Sequence, residues 1–235
     1  MTDVIVTTQR PGLARWRWAV TAAFGLGGIA ITAWGPRLPA IKASLGTGTA
    51  TIGLLLAGVT AGAILGLLAS TPVLHWLGSR RSIAAALLLI AAALAVMGLA
   101  LVLSSVPLVA TAFVIVGLGI GTLDVLINVE GSAVEQAAGR TLMPMMHAAW
   151  SIGAAVGAGI GAACAALGVS PSAQLIAEAV LIAAAALATA TGIPPGNRGS
   201  AEQPSQDRAA RLRQWLRGWL DLRLLPRDPG AGGAA

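Results

Sequence analysis

The sequence predicts an all-α, polytopic membrane protein of six transmembrane helices, half of a larger helical bundle. Three observations carry this. Of 235 residues, 56% are hydrophobic and only 10% are charged, against about 25% charged in a soluble domain. The apolar residues gather into six runs near the length that crosses a bilayer as helix, about 20 residues at 1.5 Å each. Finally, the positive charges alternate between the two sides that six crossings define.

In order, the predicted spans cover residues 18–34, 50–70, 83–103, 108–128, 144–167 and 173–191. Turn chemistry separates them: Gly35, Pro36 and Pro39, then Gly78 and Ser79, Ser104 and Ser105 before Pro107, Gly168 with Pro171, and Pro194 with Pro195. Residues 1–17 form a basic N-terminal arm. The run after Arg15 and Arg17 is long for a signal peptide, and no Ala-x-Ala site precedes Trp34, so it reads as an uncleaved first span.

With that arm in the cytoplasm, thirteen Lys and Arg residues fall inside and two, Arg37 and Lys42, outside. Both termini are then cytoplasmic, and the expected location is a bacterial inner membrane. The net charge of +6 is thus a topological signal, with no nucleic-acid partner implied. A cytoplasmic tail follows over 193–235. It opens polar and flexible, and Leu212, Trp215, Leu216, Trp219 and Leu220 then recur at helical spacing among arginines. An amphipathic helix over 211–225, lying on the inner membrane face, fits that pattern.

Helices in lipid associate where backbones can approach closely. Gly58, Gly62 and Gly66 supply such a ladder on the second span, Gly117 and Gly121 on the fourth, and Gly153, Gly157 and Gly161 on the fifth. Polar groups inside spans are costly and mark solute paths or proton relays. On the fourth span Asp124, Asn128, Ser132 and Glu135 share one helical face with Gly117 and Gly121, while Glu130 points elsewhere. His147 and Ser151 share a face at the start of the fifth span, with Trp150 beside them. Asp124 and His147 are the candidate proton or cation site, and Asn128, Ser151 and Trp150 the candidate solute contacts. The plainer alternative is a static network of Asp124, Asn128 and His147 between helices.

Glu130, Glu135 and Arg140 are expected in the inner loop as interfacial salt bridges. Arg37, Lys42 and Glu178 are expected at the outer interface, with Trp16, Trp18, Trp34 and Trp76 as interfacial anchors. One cysteine, Cys164, and two histidines, His75 and His147, offer no metal site. No cofactor is expected. The sequence has no P-loop, His-Glu-x-x-His or Gly-x-Ser-x-Gly motif, so an enzyme is not predicted.

Two stretches resemble the N-terminal six-helix half of a major facilitator superfamily transporter. The first is the segment from Leu74 to Arg81, where Gly78, Arg80 and Arg81 match the family's loop between its second and third spans, and His75 replaces the usual acidic residue. The second runs from Asp124 through Glu135 and Gly139 to His147, Trp150 and Gly153. It is similar to a fucose-permease-like bacterial branch, as is the end of the first span, Trp34 to Ile41. The resemblance covers residues 15–222. It implies two six-helix halves around a central cavity with alternating access, a cytoplasmic gating role for Gly78, Arg80 and Arg81, and secondary, proton-coupled transport of a small solute. The expected partners are the lipid bilayer, the solute, and either a second copy or a separate second half. The chain stops where the resemblance expects a seventh span, which reads as truncation. The alternative is a non-transporting membrane fragment or a scaffold or assembly protein.

Overall fold

A computed structural model describes residues 12–195 of the chain. The described residues belong to one compact unit. The predicted amphipathic helix over 211–225 falls outside the described residues.

Seven α-helices and one 3₁₀ turn make up the described residues. They are α1 (Leu13–Thr32), the turn Gly35–Arg37, α2 (Leu38–Leu45), α3 (Thr49–Leu77), α4 (Ser79–Val102), α5 (Val106–Ala138), α6 (Met143–Ala166) and α7 (Pro171–Gly192). The first span is the composite Leu13–Leu45, broken at Gly35 and Pro36. With it, α3 to α7 give six segments long and apolar enough to cross a membrane, as the composition predicts.

Two of these helices overrun the expected spans. α3 continues seven residues past 70, through Pro72, and α5 runs ten residues past 128, so the loops that follow them shrink. The loop between α3 and α4 is Gly78 alone, at φ 74° and ψ 158°, a conformation open only to glycine. Arg80 and Arg81 are therefore not loop residues: they sit in the first turn of α4. The other ends behave as their residues dictate. Pro107 and Pro171 sit in the first turns of α5 and α7, where a missing N–H costs nothing. Ser170 Oγ caps α7 by accepting from the Ala173 N–H at 3.2 Å.

The helices pack with an internal pseudo-two-fold symmetry. α1, α5, α4 and α7 form a four-membered ring in which neighbours touch, and the two remaining long helices flank it, α3 along α5 and α6 along α1. Exchanging α1 with α5, α3 with α6 and α4 with α7 maps this pattern onto itself, as for two three-helix units of inverted topology. The ring's centre is apolar and closely filled by Phe24, Leu87, Ile90, Leu94, Leu123 and Ile127. The outside is apolar as well: Leu54 is 74% exposed, Leu68 71% and Leu181 68%. Such a surface is stable only against lipid or another apolar partner, so this is a multi-pass membrane protein.

The glycine ladders make the two flanking contacts possible. A Cβ on Gly62 or Gly66 of α3 would collide with the carbonyls of Val114 or Leu118, and one on Gly117 or Gly121 of α5 with those of Val59 or Ala63. The second crossing repeats the device: Gly153 of α6 meets the Gly25 carbonyl, and Gly28 of α1 meets that of Trp150. Each crossing also carries one interhelical hydrogen bond. Thr122 Oγ1 donates to the Gly66 carbonyl at 3.1 Å, and Thr32 Oγ1 to that of Ala154 at 2.8 Å.

Leucine at Gly62 or Gly153 cannot be accommodated without separating two backbones. Each substitution is expected to destabilise the bundle by at least about 1–3 kcal/mol. Gly159→Leu, on α6 but facing open space, should change stability by no more than about 0.5 kcal/mol. Unfolding midpoints in mixed detergent micelles check both.

Candidate functional site

The polar residues of α5 fall into two groups according to which neighbour covers them. Gly117, Gly121 and Thr122 lie under α3. Asp124 and Ser132 are exposed, and Asn128 and Glu135 half-buried. The stripe predicted on one face is therefore covered by α3 over its Gly117–Gly121 part and open from Asp124 onward. Asn128 Nδ2 donates to the Asp124 backbone carbonyl at 2.7 Å and reaches the Asp124 carboxylate at 3.3 Å. The amide thus steadies an acidic side chain one turn away on the open face.

On α6, His147 and Ser151 are exposed, and Ser151 Oγ donates to the His147 carbonyl at 3.2 Å. The imidazole meets the Phe24 ring edge-on, with centroids 5.3 Å apart. Phe24 belongs to α1, which lies between α5 and α6; those two helices barely touch each other. Among the described residues no hydrogen bond joins His147 to Asp124 or Asn128. The static network of these three side chains is not formed, because a phenyl ring and a helix stand between them. Trp150 is half-buried, and its ring packs on Gly27 of α1. Of the candidate solute contacts it is the one most engaged in packing.

Three expectations about charged residues are corrected. Glu130 is not an interfacial salt bridge: it is fully buried, and its Oε1 accepts from Trp16 Nε1 at 2.7 Å. Trp16 is accordingly a hydrogen-bond donor to the bundle interior rather than a plain interfacial anchor. Glu135 does not pair with Arg140. Its Oε2 accepts from the Leu142 N–H at 2.7 Å and the Met143 N–H at 2.9 Å, which caps the start of α6 and fixes the turn that carries His147.

The third correction lies at the outer end. Arg37 and Glu178 are 3% and 4% exposed, not interfacial. Arg37 donates to the Val169 carbonyl. Gln174, which its sequence context does not single out, donates at 3.1 Å both to the Ala33 carbonyl and to Glu178 Oε1. Gln174 and Glu178 are one turn apart on α7, and that spacing is the only sequence signal for the cluster. Lys42 is the outer charge that behaves as expected, donating to Thr49 Oγ1 at 2.9 Å. Trp34, predicted as an anchor, is buried against Phe113 with ring centroids 5.1 Å apart. Trp18 and Trp76 are exposed, as anchors would be.

No group of three or more metal-ligating side chains occurs among the described residues. Chemically, the open faces of α5 and α6 offer a carboxylate, an amide, an imidazole and hydroxyls. This set can bind a hydroxylated solute and exchange protons with it or with water.

Comparison with known proteins agrees with the resemblance read from the residues. An uncharacterized transporter of the major facilitator superfamily (MFS) type from Yersinia pestis is 32% identical over 174 residues, which is 74% of this chain and 44% of that protein. An uncharacterized transporter of Sinorhizobium fredii is 33% identical over 146 residues, 62% of this chain and 38% of that protein. The chain thus spans less than half the length of the curated relatives it matches. No family model matches it, and no solved structure does.

Removing the indole donor with Trp16→Phe leaves Glu130 buried without its partner. The expected loss is about 1–3 kcal/mol of stability. Glu130→Leu in the Trp16→Phe background should recover part of it, giving a measurable coupling in a double-mutant cycle.

Proposed function

We propose that this chain, a relative of MFS-type transporters across its six-helix body, takes part in secondary transport of a small solute; the reading rests on the open polar faces of α5 and α6.

 The carrying observation is that Asp124, Ser132, His147 and Ser151 are exposed on helices whose other exposed residues are mostly apolar, among them Leu108, Met145, Ile152, Val156 and Ile160. A carboxylate held against lipid is expensive, so such a face belongs against water or a partner. Both faces flank α1, and together they form one wall of a cavity whose opposite wall a second six-helix unit would supply. A second copy of this chain or a separate second half fills that role.

In this reading Asp124 is the proton or cation site, steadied by Asn128. His147 is its partner through water or solute, since Phe24 and α1 keep the two from direct contact. Asn128 and Ser151 contact the solute, and Trp150 limits the space beside them. Gly78 is the pivot of the inner gate, with Arg80 and Arg81 at the start of α4. The membrane is the bacterial inner membrane, with both termini cytoplasmic, on the strength of the thirteen-to-two charge bias.

Two measurements test this. The detergent-corrected mass of the purified chain should show a dimer, or a monomer that gains mass when the missing half is co-expressed. In proteoliposomes containing that assembly, Asp124→Asn should reduce uptake driven by a pH gradient at least about tenfold, on the scale of one lost proton-coupling group. Undiminished coupling in Asp124→Asn would sink the assignment of the proton site.

A further inference from the structure

A cavity of about 340 Å³ lies at the end of the bundle where α1 and α4 begin and α5 and α7 finish. Arg15, Trp16, Arg80, Ala137, Ile193 and Pro194 are among the residues that line it. It is open on one side and large enough for a small ligand group. None of the polar residues assigned to the transport faces lines it.

Its electrostatics are one-sided. Two arginines, Arg15 and Arg80, line the same space, and among the described residues no acidic side chain lines it. The nearest carboxylate partner of a lining residue, Glu130, is fully buried behind Trp16 and held by its indole. Both helices that begin here start on a glycine, Gly12 and Gly78, which has no side chain to cap the first turn, and neither first turn holds an acidic residue. Among the described residues, no N-cap side chain accepts from the leading N–H groups of α1 or α4. Both first turns carry arginine, which opposes the helix dipole. Two arginines and two helix starts without a side-chain cap around one opening call for an anion with several oxygens.

We propose that this cavity binds a phosphate group, and specifically the phosphodiester headgroup of an anionic membrane lipid. The lipid source follows from position. The cavity sits where membrane-spanning helices end, and the exposed Trp18 stands within the same turn region of α1, so a headgroup can enter while its chains remain beside the apolar helix surface. The inference rests on the membrane-spanning body and not on transport, so it can fail or stand independently of the assignment of Asp124.

Native mass spectrometry of the full chain, released from detergent with added lipid, tests it. Phosphatidylglycerol should be retained about tenfold more than phosphatidylcholine, and Arg15→Gln with Arg80→Gln should remove that preference. Arg140→Gln, an exposed arginine that does not line the cavity, should leave it intact. Equal retention of the two lipids by the unaltered chain would overturn the proposal, without any variant having to fold. So would an undiminished preference in a double variant of normal helicity. Inorganic phosphate added in competition separates the sources: if it displaces the lipid at comparable concentration, the site takes a soluble phosphate and the lipid assignment falls.

Discussion

The fold depends on backbone meeting backbone at two crossings, α3 on α5 and α1 on α6. In a bilayer the hydrophobic effect does not favour helix association over lipid contact, so close van der Waals contact and interhelical hydrogen bonds must supply the preference. Glycine brings the carbonyls of one helix onto the Cα atoms of the next, and the threonines at 122 and 32 then reach across. Both crossings use the same device in symmetry-related places. The ring of α1, α5, α4 and α7 is thereby flanked identically on both sides.

This arrangement determines which polar groups are available for chemistry. α5 hides Gly117 and Gly121 against α3, and what remains uncovered a turn further in is Asp124. α6 hides Gly153 and Gly157 against α1, and its other side presents His147 and Ser151. Close packing thus uses only part of each helix: on α5 the same stripe emerges from under α3 at Asp124, and on α6 the open residues lie away from the packed glycines. The acidic groups that are buried serve the frame: Glu130 ties α5 to α1, and Glu178 ties into the outer end of α1 through Gln174.

The spans, the glycine ladders and the separation of Glu130 from the Asp124 face were legible in the sequence, because all three depend on composition or on a 3.6-residue period along one helix. Pairing was not. That α3 chooses α5, and that α1 comes between α5 and α6, depends on contacts between distant segments, so similar depth in the membrane suggested a nearness of Asn128 to His147 that α1 prevents. Helix ends were misjudged for a related reason. Polar residues such as Glu130 and Glu135 look like loop by hydropathy, yet a helix can continue through them when an indole or the next helix's N–H groups take the charge. The burial of Arg37 was hidden likewise, since its carbonyl acceptor at Val169 lies more than a hundred residues away.

The single residue between α3 and α4 has a mechanical consequence. Consecutive Cα atoms are about 3.8 Å apart, so Gly78 leaves the joined ends of these helices no slack to drift from each other, whereas three residues separate α2 from α3 at the other end of α3. Any displacement of α3 relative to the ring is confined to rotation about that point. The flanking helix can swing only as a lever hinged at its Gly78 end, with the greatest travel at the opposite end, beside Lys42 and Thr49.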